Sequence, residues 1–272
     1  FIAPNAKILV VDDNEVNLLV AQGYLAKYKC KVETCINGEE AVKKTEQEKF
    51  DIIFMDHMMP IMDGEAATKI IRGEEKKKGI QNCIVALTAN TTDGARENFL
   101  ACGFDDFLPK PIEAQKLDHI MRTRLLRSKC IFENAKTESE KRELSEPVNE
   151  AILKTFLHQI PQKAKLIRKY QQEAEGGNEQ SLKLFKIEVH ALKSSAKICG
   201  FHELSFLTEK LEKSAAEKNI DFIKDKTPEL IEKCIMSEIE LNTRFNKHIE
   251  NEEELPVVSK DELSHIVMKI KE

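Results

Sequence analysis

The sequence predicts two units in tandem: a doubly wound α/β domain built on a five-stranded parallel sheet, then an all-α four-helix bundle. Three observations predict it. From Lys7 to about Ser128, short apolar runs alternate with stretches of helical spacing. After Ser128 the strand signal stops. Beyond it, turn and cap residues divide an apolar-periodic region into four main helices with short connections.

The apolar runs are KILVVDD (7–13), KVETC (31–35), DIIFMD (51–56), CIVALTA (83–89) and DDFLPKP (105–111). Between them lie helical patterns such as Val16, Leu19, Val20 and Gly23, then Leu117, Ile120, Met121 and Leu125. Such alternation implies a parallel sheet covered on both faces, with chemistry collected at the carboxyl ends of the strands. The domain is expected over 1–128, followed by a charged linker, 129–147, whose ENAKTESEKRELSEP stretch is almost wholly polar.

The bundle is expected over 148–250. Ser145 is the expected N-cap and Pro147 sits in the first turn. Pro161 is expected to break or restart a helix, because proline cannot donate an interior hydrogen bond. EGGN (175–178) closes that region and a long helix follows, from about Glu179 to Cys199, with Gly200 at its end. Two more helices fit 202–218 and 221–249, the second kinked or restarted at Thr227-Pro228. The tail, 251–272, carries an amphipathic helix with a capping box, Ser259 and Glu262, and an apolar face of Leu263, Ile266, Val267 and Ile270.

Composition narrows the function. The 272 residues suffice for two cores, and 41% hydrophobic with 33% charged residues suits a soluble, helix-rich protein. A net charge of −5 argues against nucleic acid or an anionic membrane as the main partner. No apolar stretch approaches the roughly 18 residues that span a bilayer, and no signal peptide opens the chain. The seven cysteines form no CxxC or zinc-finger spacing, so a reducing, cytoplasmic setting is expected. The chain starts at Phe1 and is expected to be a piece of something longer.

Polar residues end the strands: Asp12 and Asp13 the first, Asp56 the third, Thr88 the fourth, with Lys110 after the fifth. Three carboxylates at one edge repel, each pair by about 3 kcal/mol at 5 Å and an effective dielectric near 20. Lys110 supplies one positive charge. A hard divalent ion held by oxygen ligands, Mg²⁺, is the natural remedy.

ILVVDDN, MDHMMPIMDG, ALTAN and LPKPI, in this order and spacing, resemble the receiver domain of two-component response regulators over roughly residues 6–127, a flavodoxin-like fold. The resemblance implies that Asp56 accepts a phosphoryl group. It implies that Asp13, Asp56 and the backbone carbonyl of Met58 bind Mg²⁺, with Asp12 helping through water. Thr88 and Lys110 would hold the phosphoryl oxygens, Phe107 would be an aromatic switch partnered with Thr88, and Lys110-Pro111 is a family site for a cis peptide. His57, beside the acceptor, is expected to be an ordinary loop residue.

In the second half, Leu182, Phe185, Val189, Leu192 and Ala196 form one helical stripe. His190 falls about 130° from its centre, facing water or a partner, among Lys186, Lys193 and Lys197. HALKSSAKICG (190–200) resembles the H-x-L-K-G-S-x-x-x-x-G pattern of histidine-containing phosphotransfer domains, which implies that His190 is phosphorylated and Lys193 supports it. Ser194 stands where that pattern has Gly. The other histidines, His119, His158, His202, His248 and His265, have no triad or zinc spacing and are expected to be surface or satisfied helix residues.

Together the resemblances imply the phosphorelay segment of a hybrid sensor histidine kinase, with an upstream kinase core and a downstream receiver as partners. There is no P-loop or GxGxxG for ATP in this chain. An aspartyl phosphatase of the haloacid dehalogenase type needs Asp-x-Asp after the first strand, and here the acids are adjacent. A receiver joined to an inert docking or dimerisation bundle is the other alternative.

Overall fold

The computed structural model describes residues 1–88, 95–125, 129–131 and 150–252. Five parallel strands, β1 (Lys7–Val11), β2 (Lys31–Cys35), β3 (Ile52–Asp56), β4 (Cys83–Thr88) and β5 (Asp106–Pro109), stand in the order β2-β1-β3-β4-β5. Helices α1 (Glu15–Ala26), α2 (Gly38–Gln47), α3 (Gly64–Lys78), α4 (Ala95–Ala101) and α5 (Ala114–Arg124) connect and follow them. This is the predicted doubly wound sheet. Successive strand residues face opposite sides, so Ile8, Val10, Ile52 and Phe54 enter one core while Leu9, Val11, Ile53 and Met55 enter the other. Asn14, Asn37 and Asp63 cap α1, α2 and α3 by accepting from their first turns.

Beyond the sheet, α6 (Glu150–Glu175), α7 (Glu179–Ile198), α8 (His202–Ala216) and α9 (Ile220–Glu252) form a four-helix bundle in which each helix packs on two neighbours. The Leu182-Phe185-Val189-Leu192-Ala196 stripe lies in its core, as expected. Among the described residues no helix is long and apolar enough to cross a membrane. All seven cysteines are unpaired.

Three expectations change. Pro161 neither breaks nor restarts α6, which runs through it, and α9 likewise runs through Pro228. A proline inside a helix costs about 3 kcal/mol, and burial of Phe156, Ile160 and Ile167 in α6, and of Ile223, Leu230 and Leu241 in α9, offsets it. Lys129 and Ile131, expected in the linker, belong to the first domain: Lys129 pairs with Asp51 at 2.6 Å, and Ile131 forms a β-bridge with Ile2. Ser145, Pro147, most of the charged linker and the amphipathic tail helix lie outside the described residues.

The two domains touch along α1. Leu18, Ala21 and Leu25 face the sheet. Val16, fully buried, packs instead into the bundle core, with Leu19 and Val20 against it. The sequence pattern Val16, Leu19, Val20 therefore marks the helix face turned away from its own sheet.

Candidate phosphotransfer site

Register brings the polar strand ends together. Val11 pairs with Met55, Asp56 with Leu87, and Thr88 with Pro109. The next residues, Asp12 and Lys110, therefore stand beside Asp56 and Thr88 at one edge. Lys110 backbone N–H donates to the Thr88 carbonyl at 2.7 Å, and the Lys110-Pro111 bond is cis.

The Lys110 ammonium lies 2.6 Å from Asp12 Oδ2 and 2.6 Å from Asp56 Oδ2. Burial works against its charge, but Asp12 and Asp56 outweigh that and hold its pKa above the ordinary lysine value. Asp12 is fully buried, and its Oδ1 also accepts from Asn14 N at 3.0 Å and Asn17 Nδ2 at 3.0 Å. Asp13 is strained electrostatically: burial first, then the charges of Asp12 and Asp56, push it up to about 8. Burial, only partly opposed by Lys110, pushes Asp56 up to about 6.

One ligand oxygen each from Asp12, Asp13 and Asp56 lies within 4.8 Å of the others. An all-carboxylate donor set of that size, crowded enough to retain protons, fits Mg²⁺. The loop after β3 folds back on Asp56, with Met58 N–H donating to its Oδ1 at 3.3 Å. Gly64 lets α3 press on that loop, since a Cβ there would lie 2.2 Å from the Asp56 carbonyl oxygen. Thr88 is fully buried, and the half-buried Phe107 stacks on Phe99 at 6.4 Å.

The bundle faces this pocket with His190, which meets the sheet domain rather than water, the second of its two expected surroundings. His190 is buried at 3% exposure because the sheet domain and Glu212 enclose it. Its Nδ1 meets Glu212 Oε1 at 2.6 Å, and Lys193 pairs with the second Glu212 oxygen. Burial alone would raise the Glu212 carboxyl, but His190 and Lys193 outweigh it and hold it at about 2. His190 Nε2 is buried without a hydrogen-bond partner among the described residues.

His57 is not an ordinary loop residue. Its ring meets His190 edge to face at 6.2 Å, and its Nδ1 lies 3.9 Å from Asp56 Oδ1. Burial first, then the charges of His190 and Lys110, push it down to about 4. The ring is therefore neutral near pH 7.

Asn14 ties the domains. Its Nδ2 donates to the Ala191 carbonyl at 2.9 Å and to Ser195 Oγ at 2.6 Å, while its Oδ1 caps α1. Beside the contact a cavity of about 220 Å³ is lined by Asp12, Lys110, Lys193, Ser194, Lys197 and other residues of both domains. Ser194 thus lines a cavity shared by the two domains. Lys186 and Lys197 stand on the same helix face, as expected, and His202 lines the cavity.

Sequence reasoning missed Glu212, Asn14 and Ser195. Glu212 sits in TEKLEKSAAEK, a charge pattern indistinguishable from a solvated helix face. Asn14 reads as a helix cap, which it also is.

The sequence matches the family described as response regulator receiver domain over residues 8–122. It is 41% identical over 117 residues to hybrid signal transduction histidine kinase G of Dictyostelium discoideum, covering 42% of this chain and 3% of that protein. It is 39% identical over 116 residues to sensor protein GacS of Pseudomonas syringae pv. syringae, covering 42% of this chain and 13% of that protein. The matched part thus spans a small fraction of these relatives. Among solved structures, the receiver domain of sensor histidine kinase PA1611 from Pseudomonas aeruginosa PAO1, with magnesium coordinated in its active site cleft, is 37% identical. That match covers 44% of this chain and 96% of the other, with a TM-score of 0.40.

Proposed function

We propose that this chain, whose residues 8–122 are a response regulator receiver domain, carries a phosphoryl group in two steps: onto Asp56, then between Asp56 and His190 of the bundle. The bundle acts as a histidine-containing phosphotransfer domain. One observation carries the reading: His190, whose Nε2 has no hydrogen-bond partner among the described residues, is buried against the acidic pocket of the same chain.

In the first step the Asp56 carboxylate attacks the phosphorus of an upstream phosphohistidine, and the P–N bond breaks. Its burial-raised pKa of about 6 still leaves it mostly ionised near pH 7, so no general base is needed. The transferring group carries its charge on outer oxygens. Lys110 and the Thr88 hydroxyl are placed to hold them. Bound by Asp13, Asp56 and the Met58 carbonyl, with Asp12 through water, Mg²⁺ would offset the remaining negative charge.

In the second step the His190 Nε2 lone pair forms the P–N bond, and the P–O bond to Asp56 breaks, returning a carboxylate. The ring keeps its Nδ1 proton and becomes cationic. Glu212 stabilises that charge and fixes the tautomer that leaves Nε2 free. Lys193, paired with Glu212, adds positive charge beside the incoming phosphoryl group. Phe107 and Thr88 would report the loaded state to the neighbouring surface. From His190 the group passes to a downstream receiver, and the chain serves as the relay segment of a hybrid histidine kinase in the cytoplasm.

The test is loading with acetyl phosphate and Mg²⁺. The expected result is base-labile label on Asp56 followed by base-stable label on His190. Asp56→Asn should abolish all label; His190→Gln should leave only the base-labile label. Label that never leaves Asp56 in the unmodified chain would instead favour an inert docking bundle.

A further inference from the structure

His57 is a polar side chain at the contact that the relay scheme above leaves without a task. Its backbone is fixed on both sides: its N–H donates to the Leu87 carbonyl at 3.2 Å, and its carbonyl accepts from Gly64 N–H at 3.2 Å. Its ring is fixed as well, edge to face with Phe99 of α4 at 5.7 Å and with His190 of α7 at 6.2 Å. A ring held this way projects its Nδ1 to one place, toward Asp56.

At that place Nδ1 is buried and has no hydrogen-bond partner among the described residues. Leaving a buried polar atom unpaired costs about 1–3 kcal/mol. The Asp56 Oδ1 oxygen, at 3.9 Å, is beyond hydrogen-bond range. A phosphoryl group on Asp56 would carry three strong acceptor oxygens past the carboxylate, closing that gap. Among the described residues two buried imidazole nitrogens without hydrogen-bond partners, His57 Nδ1 and His190 Nε2, thus belong to rings in edge-to-face contact beside Asp56. The second is the nucleophile; the first is placed as a donor.

We propose that His57 is a further catalytic residue of the Asp56–His190 exchange: its Nδ1–H hydrogen-bonds an outer phosphoryl oxygen during transfer, while its ring holds the His190 imidazole in line. The proposal rests on the relay reading above. The step needs no added reactant. The P–O bond to Asp56 breaks with its electron pair, the P–N bond to His190 Nε2 forms, and the His57 proton stays on His57.

The test follows label in the intact chain after Asp56 is charged with acetyl phosphate and Mg²⁺. Three variants separate shape from hydrogen bonding: His57→Phe keeps a ring without a donor, His57→Asn places an amide N–H near the Nδ1 position, and His57→Gln places it near Nε2. Asp56 loading is measured in each variant, and arrival at His190 is expressed per charged Asp56. Arrival at His190 is expected to slow at least about tenfold in His57→Phe and His57→Gln, within the loss seen when one donor to a charged transition state is removed. His57→Asn should restore most of the rate. Equal rates in the Asn and Gln variants would overturn the proposal, even if the Phe variant loads poorly; so would an unchanged rate in His57→Phe. Failure of the unmodified chain to label His190 would overturn the relay itself and this role with it, whereas normal labelling with indifferent His57 variants would overturn only the role of His57.

Discussion

The Asn14 amide and the Ser195 hydroxyl, 181 residues apart in sequence, meet at 2.6 Å across the contact between the two domains. The same side chain caps α1, whose Val16 is buried in the bundle core. The sheet domain is therefore seated on the bundle by the helix that starts beside its own acidic pair. Docking and site geometry are one structural problem.

Val16→Asp places a charge in that seat. The seat should open, because an unpaired buried charge costs several kcal/mol, while the sheet domain's own core is untouched. Hydrogen exchange of α7 amides around Ala191 should rise, and Asp56 should still load. Unchanged protection of α7 would contradict the seating.

Glu212→Gln keeps an acceptor for His190 Nδ1 but removes the charge that stabilises the phosphorylated, cationic ring. Hydrogen bonds to charged groups contribute about 1.5–3 kcal/mol. Phosphoryl arrival at His190 should therefore slow by roughly 10- to 100-fold, measured by rapid quench, with Asp56 loading unaltered.

Mg²⁺ affinity should rise with pH. Burial and like charges hold Asp13 at about 8 and burial holds Asp56 at about 6, so protons compete with the metal below those values. Calorimetric titration should show binding tightening from pH 6 to about 8 and levelling above. The same shifts act on stability. Both groups bind protons more tightly folded than unfolded, so the metal-free chain should lose stability as pH rises from about 4 through about 8. Saturating Mg²⁺ should remove that loss; a flat profile would contradict the cluster.

Ser194→Gly restores the residue of the phosphotransfer pattern. Ser194 already fits the rim of the cavity beside the contact, so transfer within the chain should stay within about threefold, a change below 1 kcal/mol in barrier. A much larger acceleration would mean that Ser194 holds the domains apart.

Strands and pocket were legible because each has a local signal. KVETC reads as a strand and is one, and the acids end apolar runs whose register a parallel sheet fixes. The proline helices were not legible, because tertiary burial overrode a local penalty. His190 was placed on the right helix face, with water or a partner as its cover: periodicity locates a face and does not say which of the two covers it. α1 did carry a sign of the cover. In EVNLLVAQGYLA apolar residues occur on two faces, and a helix apolar on two faces has two neighbours. Glu212 had no such sign, since a carboxylate among alternating charges looks solvated until the fold turns it inward.

The central claim is that the phosphoryl group crosses between two domains already seated together in one chain. The most direct measurement charges Asp56 with acetyl phosphate and Mg²⁺ and follows label on His190 at chain concentrations spanning about 100-fold. Seated domains predict a first-order rate constant that does not change with concentration. A rate that grows in proportion to concentration, or no label on His190 at any concentration, would contradict it.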